Sequence, residues 1–179
     1  GTNGTLLTAG NSGDASNRFF QTFSQTGQVS FSNAHAAHGG LSYQFQAVNG
    51  NSNMVTWQGL RTNTAATRFY LYMTAIPGQL QTIFQFIASG GAGYSELAWF
   101  SIDLTGKVAV TDATATTLWL SPAAISLNTW YRFEIFATVG ATQNTGTIQA
   151  AYYTLDNGSA IASFNTSTAD LGINPIGWA

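Results

Sequence analysis

Along most of this chain apolar and polar side chains alternate with a period of two, and no stretch sustains the 3.6-residue period of a helix. The alternating segments are short and rich in Val, Ile, Thr and aromatics, and Gly, Asn, Ser or Pro separates them. The clearest are LSYQFQAV (41–48), TRFYLYMTA (67–75), LQTIFQFIA (80–88), YSELAWFSID (94–103), KVAVTD (107–112), TTLWLS (116–121), TWYRFEIFATV (129–139), TIQAAYYTL (147–155) and AIASFNT (160–166). Weaker candidates lie at 4–8, 18–24, 28–32 and 54–58. So many short strands, with turn residues at this spacing, predict an all-β, two-sheet antiparallel sandwich. Thr105-Gly106 and Asn157-Gly158 sit where hairpin turns are needed, and the Asn-Gly pair predicts a tight turn with both residues at positive φ. SGGAGY (89–94) reads as a flexible connection. No linker, charge block or repeat divides the chain, so one domain over 1–179 is expected.

Because successive strand side chains point to opposite sides, the alternation also assigns faces. Phe69, Leu71 and Met73 share one face of their strand, with Arg68, Tyr70 and Tyr72 on the other. Ala98, Phe100 and Ile102 form a core face backed by Trp99, Ser101 and Asp103. Tyr131, Phe133 and Ile135 oppose Trp130, Arg132 and Glu134. In all three strands an apolar face is backed by one that mixes aromatics with ionic groups.

Composition narrows the function. Charged residues make up 7% of the 179, with five basic and seven acidic side chains. Average globular proteins carry roughly 25%, so the surface must be covered by Thr, Ser, Asn and Gln. There is no cationic stripe to release counterions from a phosphate backbone, which argues against nucleic acid, and no basic face for a membrane surface. No apolar run reaches the roughly 18 residues of a membrane span. The absence of cysteine excludes disulfides, thiolate metal sites and a cysteine nucleophile. The first residues, GTNGTLLTAG, lack the charged and apolar regions of a signal peptide. Lys107 is the single lysine, a scarcity of tryptic sites that suits life outside a cell.

Candidate chemistry is sparse. His35 and His38, the two histidines, lie in FSNAHAAHGGLSYQF (31–45). A zinc site needs three or four ligands with supporting partners, and no cysteine or adjacent carboxylate supplies them; the nearest upstream acid is Asp14. The stretch therefore reads as a glycine-hinged entry to a strand. Glycoside hydrolysis needs two carboxylates flanking the scissile bond, yet Glu96 and Asp103 fall on opposite faces and Glu134 has only Arg132 beside it. No G-x-S-x-G elbow or phosphate loop occurs. Neither an enzyme nor a cofactor is expected. Asp156-Asn157-Gly158 has the oxygen chemistry that calcium prefers, but such a triplet is ordinarily a turn and no ligand set can be assigned.

The order and spacing of several motifs carry a family likeness over most of residues 1 to 175. SLNTWYRFEIFATV, then GTIQAAYYTLDNGSAIASF (to 164), resembles laminin-G-like, concanavalin-A-like jelly rolls. AHAAHGGLSYQF, RFYLYMTAIP and IDLTGKVAVTDATAT sharpen it. Together they are similar to lectin-like modules of minor tail proteins from phages of actinobacteria, and of some secreted actinobacterial proteins. The resemblance implies a jelly roll displayed on a virion, a homo-oligomer or a partner of other virion proteins, contacting cell-surface polysaccharide. The alternative it implies is a secreted lectin domain. Its closing acidic strand would begin near LGINPIGWA, so the resemblance implies either a piece of a longer polypeptide or an unresolved tail. The candidate carbohydrate-binding residues are Arg68, Tyr70, Tyr72, Trp99, Asp103, Trp130, Arg132 and Glu134.

Overall fold

The structure, a computed structural model, describes residues 1–13, 21–24, 28–46, 53–89 and 95–179. Among them there is no helix, hence none long and apolar enough to cross a membrane. The strands are β1 (Gln21–Ser24), β2 (Gln28–Ser32), β3 (Ser42–Gln46), β4 (Asn53–Thr56), β5 (Gln58–Thr62), β6 (Thr64–Tyr72), β7 (Gln81–Ala88), β8 (Glu96–Ile102), β9 (Lys107–Asp112), β10 (Thr117–Ala124), β11 (Trp130–Thr138), β12 (Gly146–Thr154), β13 (Ala162–Ala169) and β14 (Ile176–Trp178). The chain divides into two compact units, Gly1–Gln58 and Gly59–Ala179.

In the first unit β2 pairs with β3 and β1 with β4, both antiparallel. Leu7, Val29 and Phe31 form its core, with Leu41 and Val55 packed against them. The segment expected as a strand over 4–8 makes one isolated bridge, Leu6 to Ser30. Residues 18–20 of the candidate strand 18–24, and Asp14, lie outside the described residues. His35 and His38 are exposed on the connection 33–41 between β2 and β3, where Gly39 takes a φ of 67°. That left-handed conformation suits glycine, which has no Cβ to clash.

The second unit is a β-sandwich. One sheet runs β10-β9-β8-β7-β14-β5 and the other β13-β12-β11-β6. Their facing side chains make the core: Phe86, Ala98, Phe100 and Val110 from the first sheet meet Ile135, Ala137 and Ile148 from the second. A neighbouring cluster joins Ile102 and Val108 to Tyr131, Phe133 and Tyr152. Phe69 stacks on Phe133 with ring centroids 5.2 Å apart, and Trp119 stacks on Phe164 at 5.9 Å. The Trp119–Phe164 pair spans β10 and β13, so it closes one edge of the sandwich. Faces assigned from alternation are those observed: Phe69, Leu71 and Met73 pack inward, as do Ala98, Phe100 and Ile102.

Two hairpins share one device. After β8, Asp103 Oδ1 accepts hydrogen bonds from the Thr105 N–H, the Thr105 hydroxyl and the Lys107 N–H. After β9, Asp112 Oδ1 accepts them from the Thr114 N–H, the Thr114 hydroxyl and the Thr116 N–H. The left-handed position is Gly106 (φ 81°) in the first turn and Ala115 (φ 63°) in the second. The loop between β12 and β13 departs from expectation. Asn157 and Gly158 do not adopt positive φ, which falls instead on Leu155 (φ 44°). The local Asn-Gly preference is overridden because Arg132 donates from Nη1 to the Leu155 carbonyl (3.2 Å) and from Nη2 to the Asn157 carbonyl (3.3 Å). These bonds hold the loop against the outer side of the four-stranded sheet.

Candidate functional site

The outer face of the four-stranded sheet gathers six of the eight candidate residues. Register places Tyr72 opposite Trp130, Tyr70 opposite Arg132, and Arg68 opposite Glu134 on β6 and β11. On the next strand Arg132 is opposite Tyr153, and Glu134 is opposite Ala151. Trp99 lies on the outward side of β8 in the other sheet, beside Gln85 and Thr111. Asp103 also belongs to that sheet, at the β8–β9 turn. The two groups therefore occupy opposite outer surfaces of the sandwich.

Arg132 organises the platform. Its side chain retains 12% exposure. Nε lies 3.1 Å from Glu134 Oε1, close enough for an ion pair but not aligned as a hydrogen bond. Its guanidinium carbon sits 4.2 Å from the centroid of the Tyr153 ring, a cation–π contact that fixes both side chains. With the two loop carbonyls it holds, it ties β11 to β12 and to the 155–161 loop. That loop brings Asp156 within 2.8 Å of the Tyr70 hydroxyl, which donates to Oδ1, and 3.8 Å from Arg132 Nη1. Arg68 Nη2 meets the same Glu134 Oε1 at 2.8 Å. Tyr72 and Trp130 form a tilted aromatic pair with centroids 5.3 Å apart.

The environments of the titrating groups follow from these contacts. The Tyr70 phenol is held above its ordinary value, chiefly because its hydrogen bond to Asp156 favours the neutral form. For Asp103, burial pushes the carboxyl up, but bonds from the Lys107 and Thr105 N–H groups and the Thr105 hydroxyl outweigh it and hold the group low. Those bonds make Asp103 a turn-former.

An open groove of about 690 Å³ crosses the face. Its lining includes Ala66, Arg68, Glu134, Phe136, Gln149 and Tyr153. Ala151, Ser163 and Asn165 contribute as well. Sequence reasoning did not place Tyr153, Gln149, Asn165 and Asp156 on this face. The signal for the first two was present: Gln149, Ala151 and Tyr153 alternate with Ile148, Ala150 and Tyr152, as in the strands whose faces were assigned. For Asp156, read as part of a turn, only the long-range contact to Arg132 and Tyr70 exposes a second role. Among the described residues no three His, Asp or Glu side chains come together to hold a metal ion.

No protein-family model matches the chain, and no curated protein matches it. Its fold has a partial likeness to the crystal structure of SO2946, a protein of unknown function from Shewanella oneidensis MR-1. That alignment has a TM-score of 0.47 and 17% identity, and covers 97% of this chain and 68% of the other.

Proposed function

We propose that this chain is a non-catalytic jelly-roll recognition module of the phage minor-tail or fibre type, which contacts glycans on a host surface. The platform on the four-stranded sheet is its binding face. The single observation that supports this most is the convergence of Tyr70, Tyr72, Trp130 and Tyr153 with Arg68, Arg132 and Glu134 on one outward face. Sugars present C–H faces that stack on aromatic rings, and hydroxyls that take hydrogen bonds from guanidinium and amide groups. The virion setting rests on the order of the sequence motifs, and with it self-association or contact with other virion proteins. A secreted lectin domain is the alternative that the same motifs allow.

A glycan-array screen of the chain tests the binding role. Binding is expected to fall at least tenfold in Tyr153→Ala, which removes the platform ring that lines the groove, and to persist in Trp99→Ala. The reverse pattern would move the site to the other sheet, and no signal from the chain in any oligomeric form would remove the glycan role. Finding the chain on the outside of a particle separates the virion setting from the secreted one.

A further inference from the structure

We infer that the groove takes an electrically neutral, hydroxyl-rich chain, laid across the strands along the row Arg68, Glu134, Ala151 and Ser163, with Ala151 setting its depth. This inference rests on the glycan-binding reading and names the ligand class for that same site.

The row follows from register. Arg68 is opposite Glu134, Glu134 opposite Ala151, and Ala151 opposite Ser163, so these four positions run perpendicular to the strands. The rows two residues to either side are bulkier. One carries Tyr70, Arg132 and Tyr153, and the other carries Ala66, Phe136, Gln149 and Asn165, so the strand β12 positions beside Ala151 are Tyr153 and Gln149. Each flanking row lies roughly 7 Å away along the strands. A small residue between two bulky rows makes a trough, and Ala151 is the small residue at its middle. Its volume of about 690 Å³ falls in the range of small-ligand sites.

Charge then selects the occupant. Two cations, Arg68 and Arg132, and two anions, Glu134 and Asp156, are joined by ion pairs on this face, so their formal charges cancel. Both arginines meet Glu134 Oε1, and in the outer pair the Arg68 side chain keeps 63% exposure and that of Glu134 32%. A carboxylate only accepts hydrogen bonds. The paired Arg68 and Glu134 therefore set a donor beside an acceptor with no net charge, which suits ligand hydroxyls that do both and gives a ligand carboxylate or sulfate no net attraction. Ser163 and Asn165 are exposed and offer both donors and acceptors, matching hydroxyls that do both. A protein partner would have to bury the Arg68–Glu134 pair in a dry interface, where desolvation offsets the gain. A sugar chain replaces the water at those groups with hydroxyls.

The test measures binding of the chain to dextran, mannan and galactan, against alginate and polygalacturonate, by affinity electrophoresis at low and high salt. Binding to at least one neutral polymer is expected, little changed by salt, with the acidic polymers at least tenfold weaker. Ala151→Leu should lower the neutral binding at least tenfold, whereas Ala151→Ser retains it. Ser163→Phe, at an exposed position, fills the same trough if Ala151→Leu does not fold. Preference for the acidic polymers, lost in salt, would overturn the inference and leave the glycan reading standing. Neutral binding indifferent to both filling substitutions would overturn the placement in the trough. Binding to no member of the panel, with a silent glycan array, would remove the reading and the inference together.

Discussion

The two faces of β11 differ in what they are built to do. Inward, Tyr131, Phe133, Ile135 and Ala137 are 6%, 2%, 2% and 1% exposed. Outward, Trp130, Arg132, Glu134 and Phe136 are each half-buried, the first three in a lattice of ion pairs and ring contacts. The inner face derives its free energy from removing apolar surface from water, at about 25 cal/mol per Å². The outer face spends side-chain entropy and partial desolvation to hold polar groups in fixed places, and exposed ion pairs return little stability for that. Under the proposed function, that ordering of polar groups at small energetic gain is what a ligand would use. The same strand thus separates the fold from its proposed use.

The comparison breaks most forcefully at Phe133, which lies between Phe69 and Tyr152, with centroids at 5.2 and 5.6 Å. Phe133→Ala should cost about 3–5 kcal/mol of stability, read from chemical denaturation, because it leaves a cavity in a packed core. Arg132→Ala comes next, at about 2 kcal/mol, since it strips charged hydrogen bonds from two loop carbonyls and unpins Tyr153. It should also free the 155–161 loop, visible as faster amide exchange there. Arg132→Lys would not restore the network, because an ammonium cannot reproduce the planar fork. Glu134→Gln should change stability by less than about 1 kcal/mol and weaken glycan binding several-fold. Ala115→Gly is the control on the other sheet. It should add about 1 kcal/mol by relieving a left-handed alanine and leave binding unchanged.

Two tyrosines sharpen the contrast at still smaller effect. Tyr152 on the inner face and Tyr70 on the outer face both titrate above the ordinary 10.0, the first through burial and the second through its bond to Asp156. A raised phenol stabilises the fold fully below its unfolded value, near pH 10, and loses that contribution as pH climbs through the folded value. Asp156→Ala should bring Tyr70 back toward its ordinary value and leave Tyr152 displaced. A pH titration followed by NMR distinguishes the two rings.

How much of this was legible beforehand depends on the range of each interaction. Period-two alternation is local, and it marked the nine clearest strands and the inner faces of β6, β8 and β11. It could not say which strands share a sheet, because that depends on pairing between distant segments. Trp99 and Asp103 were therefore grouped with residues that lie on the opposite surface. Strand β5 (QGLRT) carries no apolar alternation, and β14 is three residues long, so neither stood out. In β14, Gly177 admits the chain where a Cβ would come 2.5 Å from Ser89, a close approach no sequence pattern announces. The β12–β13 hairpin at Asn157-Gly158 was legible, but its backbone conformation was not, because Arg132, far off in sequence, bonds that loop.

Amide chemical shifts of the labelled chain, followed while a neutral polysaccharide fragment is titrated in, test the central claim most directly. The account predicts that the shifts cluster on β6, β11, β12 and β13, centred on Glu134 and Ala151, with Trp99 and the Asp103 turn unmoved. Shifts centred on the outward side of β8 and β9, or none anywhere at saturating fragment, would contradict it.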